Sequence, residues 1–114
     1  MQSYKRSDRV GELIQQTVSL IIRDFKDLNT AVVVITKVKL TDDLLNCKIY
    51  FSVFGDSAEK EKNEQILKRN IKEVRHQLAL RLNLRRTPTI EFIYDSSNEE
   101  AAKVIDLIEK LQNE

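Results

Sequence analysis

At 114 residues and 13.3 kDa the chain has room for one hydrophobic core, so a single domain over residues 1–114 is expected. Apolar residues make up 41% and charged residues 32%, a balance that supports folding rather than disorder. With 19 Lys and Arg against 18 Asp and Glu, the net charge of +1 excludes a uniformly basic, histone-like protein.

From Ser7, read as an N-cap, to Asp27, the residues Val10, Leu13, Ile14, Val18, Ile21, Ile22 and Phe25 recur at helical spacing and predict an amphipathic helix. Residues 31–40 are β-branched and predict a strand more buried at its start, followed by a turn at Thr41-Asp42-Asp43. A second strand is expected from Leu44 to Phe54, with Leu45, Cys47, Ile49, Phe51 and Val53 on its apolar face, and the pair reads as an antiparallel hairpin. Gly55-Asp56-Ser57 then ends the strand and caps a helical stretch whose stripe is Leu67, Ile71, Val74, Leu78 and Leu82. That stripe suits one long helix stopped by Thr87-Pro88, while Asn70, tolerant of unusual backbone angles, also permits a break there. Residues 89–94 alternate as a third strand. Ser97-Asn98-Glu99-Glu100 opens a last helix as a capping box, with the core stripe Ala101, Val104, Ile105, Ile108 and Leu111. The order α-β-β-α(α)-β-α predicts an α+β domain with helices packed on one face of a three-stranded sheet.

The neutral total hides a strong local imbalance. Residues 68–86 carry Lys68, Arg69, Lys72, Arg75, Arg81, Arg85 and Arg86 against Glu73 alone, a net of +6, whereas residues 87–114 carry a net of −5. On a continuous helix Lys68, Lys72 and Arg75 would stand side by side next to the apolar stripe. A second cluster, Lys5, Arg6 and Arg9, opens the first helix, where cations oppose the helix dipole and so point to an external anionic partner. Such runs are in the simplest case solvated faces, but a polyphosphate partner explains both clusters through counterion release. No aromatics are interleaved with the basic residues, which favours recognition of backbone and shape over a platform of stacked bases.

Catalysis is not expected. Gly11 and Gly55 are too far apart to form a phosphate-cradling loop, and no nucleophile stands in sequence beside a base. His76 falls on the polar side of its helix, and Cys47 alternates with Leu45 and Ile49 as a buried small hydrophobe. Asp42-Asp43 and Asp95 read as turn and cap residues. A lone cysteine makes no internal disulfide, and no Cys or His cluster suits a metal. No run approaches a membrane span or a signal peptide, so a cytoplasmic protein with no membrane partner is expected.

Several segments together resemble the ribosome-binding factor A family over nearly the whole chain. They are Arg6-Ser7-Asp8-Arg9-Val10 before the first helix, the run from Thr36 to Leu44 across the hairpin turn, and Lys48-Ile49-Tyr50-Phe51-Ser52 in the second strand. Val74-Arg75 with Leu78-Ala79 and Leu82, then Arg85-Arg86-Thr87-Pro88 leading through Ile90, Phe92 and Tyr94 to Asp95 and Ser97, complete the resemblance. Family members usually carry an Ala-x-Gly kink in the central helical stretch, in place of the Gly-x-x-Gly loop of ordinary KH domains. Here Asn70-Ile71-Lys72 stands at that place. Asp27-Leu28-Asn29 likewise replaces a usual Asp-Pro-Arg, and Ala101 replaces a usual Gly.

The resemblance implies a type II KH-like domain and a non-enzymatic assembly factor without cofactor or metal. Such a factor binds free small (30S) ribosomal subunits and their precursors as a monomer. It would assist late maturation of 16S rRNA, including formation of the helix at its 5′ end, particularly in the cold, with contacts to ribosomal proteins also open. On that reading Lys5, Arg6, Arg9, Lys68, Arg69, Lys72, Arg75, Arg81, Arg85 and Arg86 hold rRNA phosphates. The competing expectation is a protein-interaction or regulatory α+β module that docks a protein through a sheet edge or the acidic last helix.

Overall fold

The computed structural model describes residues 4–97 together with 108, 110 and 111. Its elements are α1 (Arg6–Ile22), β1 (Val33–Leu40), β2 (Asn46–Val53), α2 (Ser57–Arg69), α3 (Ile71–Arg81) and β3 (Thr89–Tyr94). The expected last helix lies almost wholly outside the described residues. Of its expected core stripe, Ile108 and Leu111 are described, and they are exposed rather than buried.

Helix α1 is capped at Lys5, not at Ser7. The Lys5 backbone N–H donates to Asp8 Oδ2 at 3.0 Å, which places a carboxylate in the first turn, where the helix dipole favours it. Ser7 sits inside that turn, buried, and its hydroxyl donates to Asp42 Oδ1 at 3.2 Å. The helix stops at Ile22, five residues before the expected Asp27. Residues 23–28 turn back on themselves, which lets Phe25 pack on the core and buries Leu28. Ile14, Val18, Ile21 and Ile22 of the expected stripe are buried, whereas Leu13 is exposed.

Strands β1 and β2 pair antiparallel, as the hairpin pattern predicts, and β3 joins β2 in parallel to give the order β1-β2-β3. The pairing of β1 shifts between Ile35 and Lys37. Val33 and Ile35 face the core at odd positions and Val38 and Leu40 at even ones, so one extra residue, Thr36, must be inserted to keep both pairs on the same side. Cys47, Ile49, Phe51 and Val53 of β2 and Ile90 and Phe92 of β3 complete the core face, while Leu45 falls before β2 and is exposed. Phe51 is fully buried and meets Phe92 and Tyr94 edge-on, at ring separations of 6.3 and 5.7 Å. Cys47 is 2% exposed, and burial pushes its thiol up to about 12.

Asp56 caps α2 by accepting from the Glu59 N–H at 2.8 Å. Within α2 the fully buried Asn63 has every polar atom satisfied: its amide donates to the Glu59 carbonyl and carboxylate, and its oxygen accepts from the Asn29 N–H. This network fastens α2 to the loop after α1. The stretch from 57 to 81 is two helices, not one: Asn70, at φ −104° and ψ 16°, ends α2 and begins α3. Its side-chain amide donates to the Ile66 carbonyl at 2.7 Å, taking up an acceptor that the interrupted helix leaves free. Helix α3 ends at Arg81, well before Thr87-Pro88. The remaining loop carries the chain to β3, with Leu82 and Pro88 buried along the way.

Two predictions follow from this packing. A Cβ added at Gly11 would lie 3.8–3.9 Å from Val38 and Leu40, an ordinary contact, so Gly11→Ala should raise stability by about 0.5–1 kcal/mol in urea unfolding through helix propensity alone. At the other side of the sheet, hydrogen bonds from the side chain of Ser97 and the hydroxyl of Thr36 hold the Asp95 carboxyl down at about 2. The folded state therefore favours the charged form. The stability this contributes is complete above the unfolded value near 3.9 and is lost as pH falls through about 2. Asp95→Asn should flatten the acid limb of the stability–pH curve between about pH 4 and about pH 2.

Candidate nucleic-acid interface

The basic residues singled out in the sequence do not form one helical row. The break at Asn70 puts Lys68 and Arg69 on α2 and Lys72, Arg75 and Arg81 on α3. Lys68 is held by Glu64 at 3.0 Å, one turn back along α2. Lys72 is exposed on the first turn of α3.

Arg75 is half-buried and committed to structure: its Nε donates to the Pro88 carbonyl at 3.0 Å and one Nη to the Thr87 carbonyl at 3.2 Å. It thereby fixes the 82–88 loop, which carries Arg85 and Arg86, onto α3.

Two concavities divide the other cations. The larger, about 550 Å³, runs along α3 beside the loop after α1, and Arg69 and Arg81 line it with Lys26, a residue the sequence reading passed over. Asp24, Asp27 and Glu73 also line it, so its charge is balanced. The smaller, about 180 Å³, lies where the start of α1, the β1–β2 turn and the 82–88 loop meet. Arg6, Arg85 and Arg86 converge on it, with Asp43 as the only acid in the lining among the described residues. Residues 80 positions apart in sequence thus share one site.

Beside this second site, Lys5 reaches the Asp42 carboxylate at 3.3 Å, an exposed pair of small energetic weight, and Arg9 is exposed one turn further along α1. Asp43 closes the β1–β2 turn: its Oδ1 accepts from the Thr41 hydroxyl and from the Leu45 N–H at 3.0 Å, and these bonds hold its carboxyl below the ordinary value. Leu44 between them adopts φ 64°.

A further basic feature went unread in the sequence. Lys37 and Lys39 on β1 face away from the core, with their ammonium groups 4.5 and 5.9 Å from the Tyr50 ring, and Lys48 lies on the same outer face. The alternation of Lys37, Lys39 and Lys48 with core residues carries this signal. Among the described residues no group of His, Cys, Asp or Glu could hold a metal ion, and no helix is long and apolar enough to cross a membrane.

A mixed three-stranded sheet, helices on one of its faces, and a broken helix pair linking its two parallel strands define a type II KH-like domain. The sequence model of the family described as Ribosome-binding factor A matches residues 6–108, and the chain belongs to that family. Ribosome-binding factor A of Trichlorobacter lovleyi is 40% identical over 109 residues, covering 95% of this chain and 89% of the relative. A candidate ribosome binding factor A of Thermotoga maritima, solved by NMR, superposes with a TM-score of 0.75 at 25% identity over 85% of this chain and 93% of that one. A homology model of Thermus thermophilus ribosome binding factor A, fitted into the cryo-EM map of a complex of 30S with the factor, shares the fold with a TM-score of 0.65 at 21% identity, covering 75% of this chain and 91% of that one.

The placement of Arg75 gives a direct test. Arg75→Ala should cost about 2 kcal/mol in urea unfolding, because two charge-assisted bonds to half-buried carbonyls are lost. Arg75→Lys should recover only part of that, since an ammonium cannot span both carbonyls as the planar guanidinium does.

Proposed function

We propose that this protein is a non-enzymatic assembly factor that binds the small (30S) ribosomal subunit and its precursors and assists late maturation of their 16S rRNA. It would do so in the cytoplasm, as a monomer, with particular value in the cold. Its membership of a family named for ribosome binding supports the reading, as does the 30S complex of the Thermus thermophilus relative.

The observation that carries it is the convergence of Arg6, Arg85 and Arg86 on one concave site from distant parts of the chain. Three guanidiniums with a single acid beside them among the described residues form a locally positive surface on a molecule of net charge +1, and phosphate is the anion that such a fork geometry suits. Arg9 and Lys5 extend this surface, and Arg69, Lys72 and Arg81, with Lys68, supply a second set of phosphate contacts along the broken helix pair. Arg75 contributes by fixing the loop that bears Arg85 and Arg86. Binding one rRNA arrangement more tightly than its alternatives shifts the population toward it without any covalent step.

Sedimentation of cell extract should place the protein with free small subunits, whereas a regulatory module that docks only soluble proteins would stay at the top of the gradient. The double variant Arg85→Glu and Arg86→Glu should weaken association and reduce the slope of log affinity against log salt by roughly one for each phosphate contact removed. An unchanged affinity and slope would remove both arginines from the interface.

A further inference from the structure

The smaller concavity has features that phosphate binding alone does not call for. Its floor is apolar, formed by Val10, Ile14 and Leu40, and Leu84 stands in its wall. A phosphate gains nothing from such a surface, since it would be desolvated there without partners. At about 180 Å³ the space is smaller than the ~300 Å³ at which pockets for drug-sized ligands begin. What suits it is one flat, apolar-faced ring system carried between anions.

Leu44 points the same way. It occupies the left-handed region at φ 64°, a conformation that a bulky side chain adopts only under strain and that Gly or Asn would supply freely in a hairpin turn. Leu44 is one of the residues that line the cavity. The turn from Thr41 to Asn46 sets this backbone conformation but does not call for a leucine, and a leucine kept there is accounted for when its side chain has work to do.

We propose that this cavity is a slot for a single unstacked nucleobase of ribosomal RNA, with Arg6, Arg85 and Arg86 on the phosphates to either side and Leu44 and Leu84 against the base. The inference rests on the ribosomal reading above and deepens it from backbone contact to capture of one nucleotide. Single-stranded RNA elements present bases that can be splayed out and held in this way, and a guanidinium plane can also stack on the captured ring. Asp43, whose Oδ1 accepts from Thr41 and Leu45, also lines the cavity and offers a carboxylate to N–H donors on the edge of a base.

The test uses the full chain and purified small subunits, with chemical probing of Watson–Crick edges across the 16S rRNA. The wild-type protein should shield one unpaired base. Two uncharged substitutions should abolish that shielding: Leu44→Gly, which deletes one wall and relieves the strained backbone, and Val10→Phe, which fills the floor. Each should weaken association about tenfold or more, the scale of one lost base contact, while leaving the salt slope at its wild-type value because every arginine remains. Should Val10→Phe not fold, Leu44→Gly decides alone.

Wild-type affinity and an intact footprint in Leu44→Gly overturn the slot and leave the assembly-factor reading standing. Weakened binding with no base whose shielding depends on Leu44 overturns it in favour of a ribosomal-protein side chain as the occupant. A folded wild-type protein that does not associate with subunits at all overturns both.

Discussion

Parallel strands cannot be joined by a tight turn, so the pairing of β2 with β3 obliges the chain to leave the sheet, cross over it and return in the same direction. Helices α2 and α3 are that crossover. They bring Leu67, Val74 and Leu78 onto the same side of the sheet as Ile14 and Val18 of α1, while Lys37, Lys39 and Lys48 lie exposed on the opposite face among the described residues. The return to β3 also decides which basic residues are brought together. The 82–88 loop has to pass the first turns of α1 and the β1–β2 turn before the chain can enter the sheet, and those are the segments that carry Arg85, Arg86, Arg6 and Asp43.

The elements themselves were legible because each had a clear period. The third strand ran over residues 89–94 as expected, and the apolar face of β2 was right from Cys47 to Val53. The ends were less legible. Ser7 has the chemistry of a cap, yet Asp42, far away in sequence, competes for its hydroxyl, and Asp8 satisfies the Lys5 N–H instead. The bulge at Thr36 was present in the sequence as a change of parity between Ile35 and Val38, but parity can be read as an insertion only once the partner strand is known.

The candidate site was legible as composition and illegible as geometry. A net of +6 over residues 68–86 drew attention to the segment that holds Arg85 and Arg86, but a helical wheel drawn across Asn70 placed Lys68, Lys72 and Arg75 on one helix, which the break divides in two. Arg75 looks like its neighbours in the sequence. Only the position of two backbone carbonyls twelve and thirteen residues ahead distinguishes a bracing guanidinium from one that is free to meet a ligand. Leu44 and Leu84 gave no signal because apolar residues near strand and helix ends are ordinary. They come together only in the cavity that three separate segments enclose.

The junction at Asn70 is made without glycine. Its backbone stays on the side of conformational space open to any residue, and the bend is secured by the side-chain amide on the Ile66 carbonyl. A glycine at such a corner gives up more chain freedom on folding and leaves more angles accessible afterwards. Here the corner between α2 and α3 is braced by a hydrogen bond from the side chain of the corner residue itself, so the contour of the groove beside them depends on one amide staying on one carbonyl.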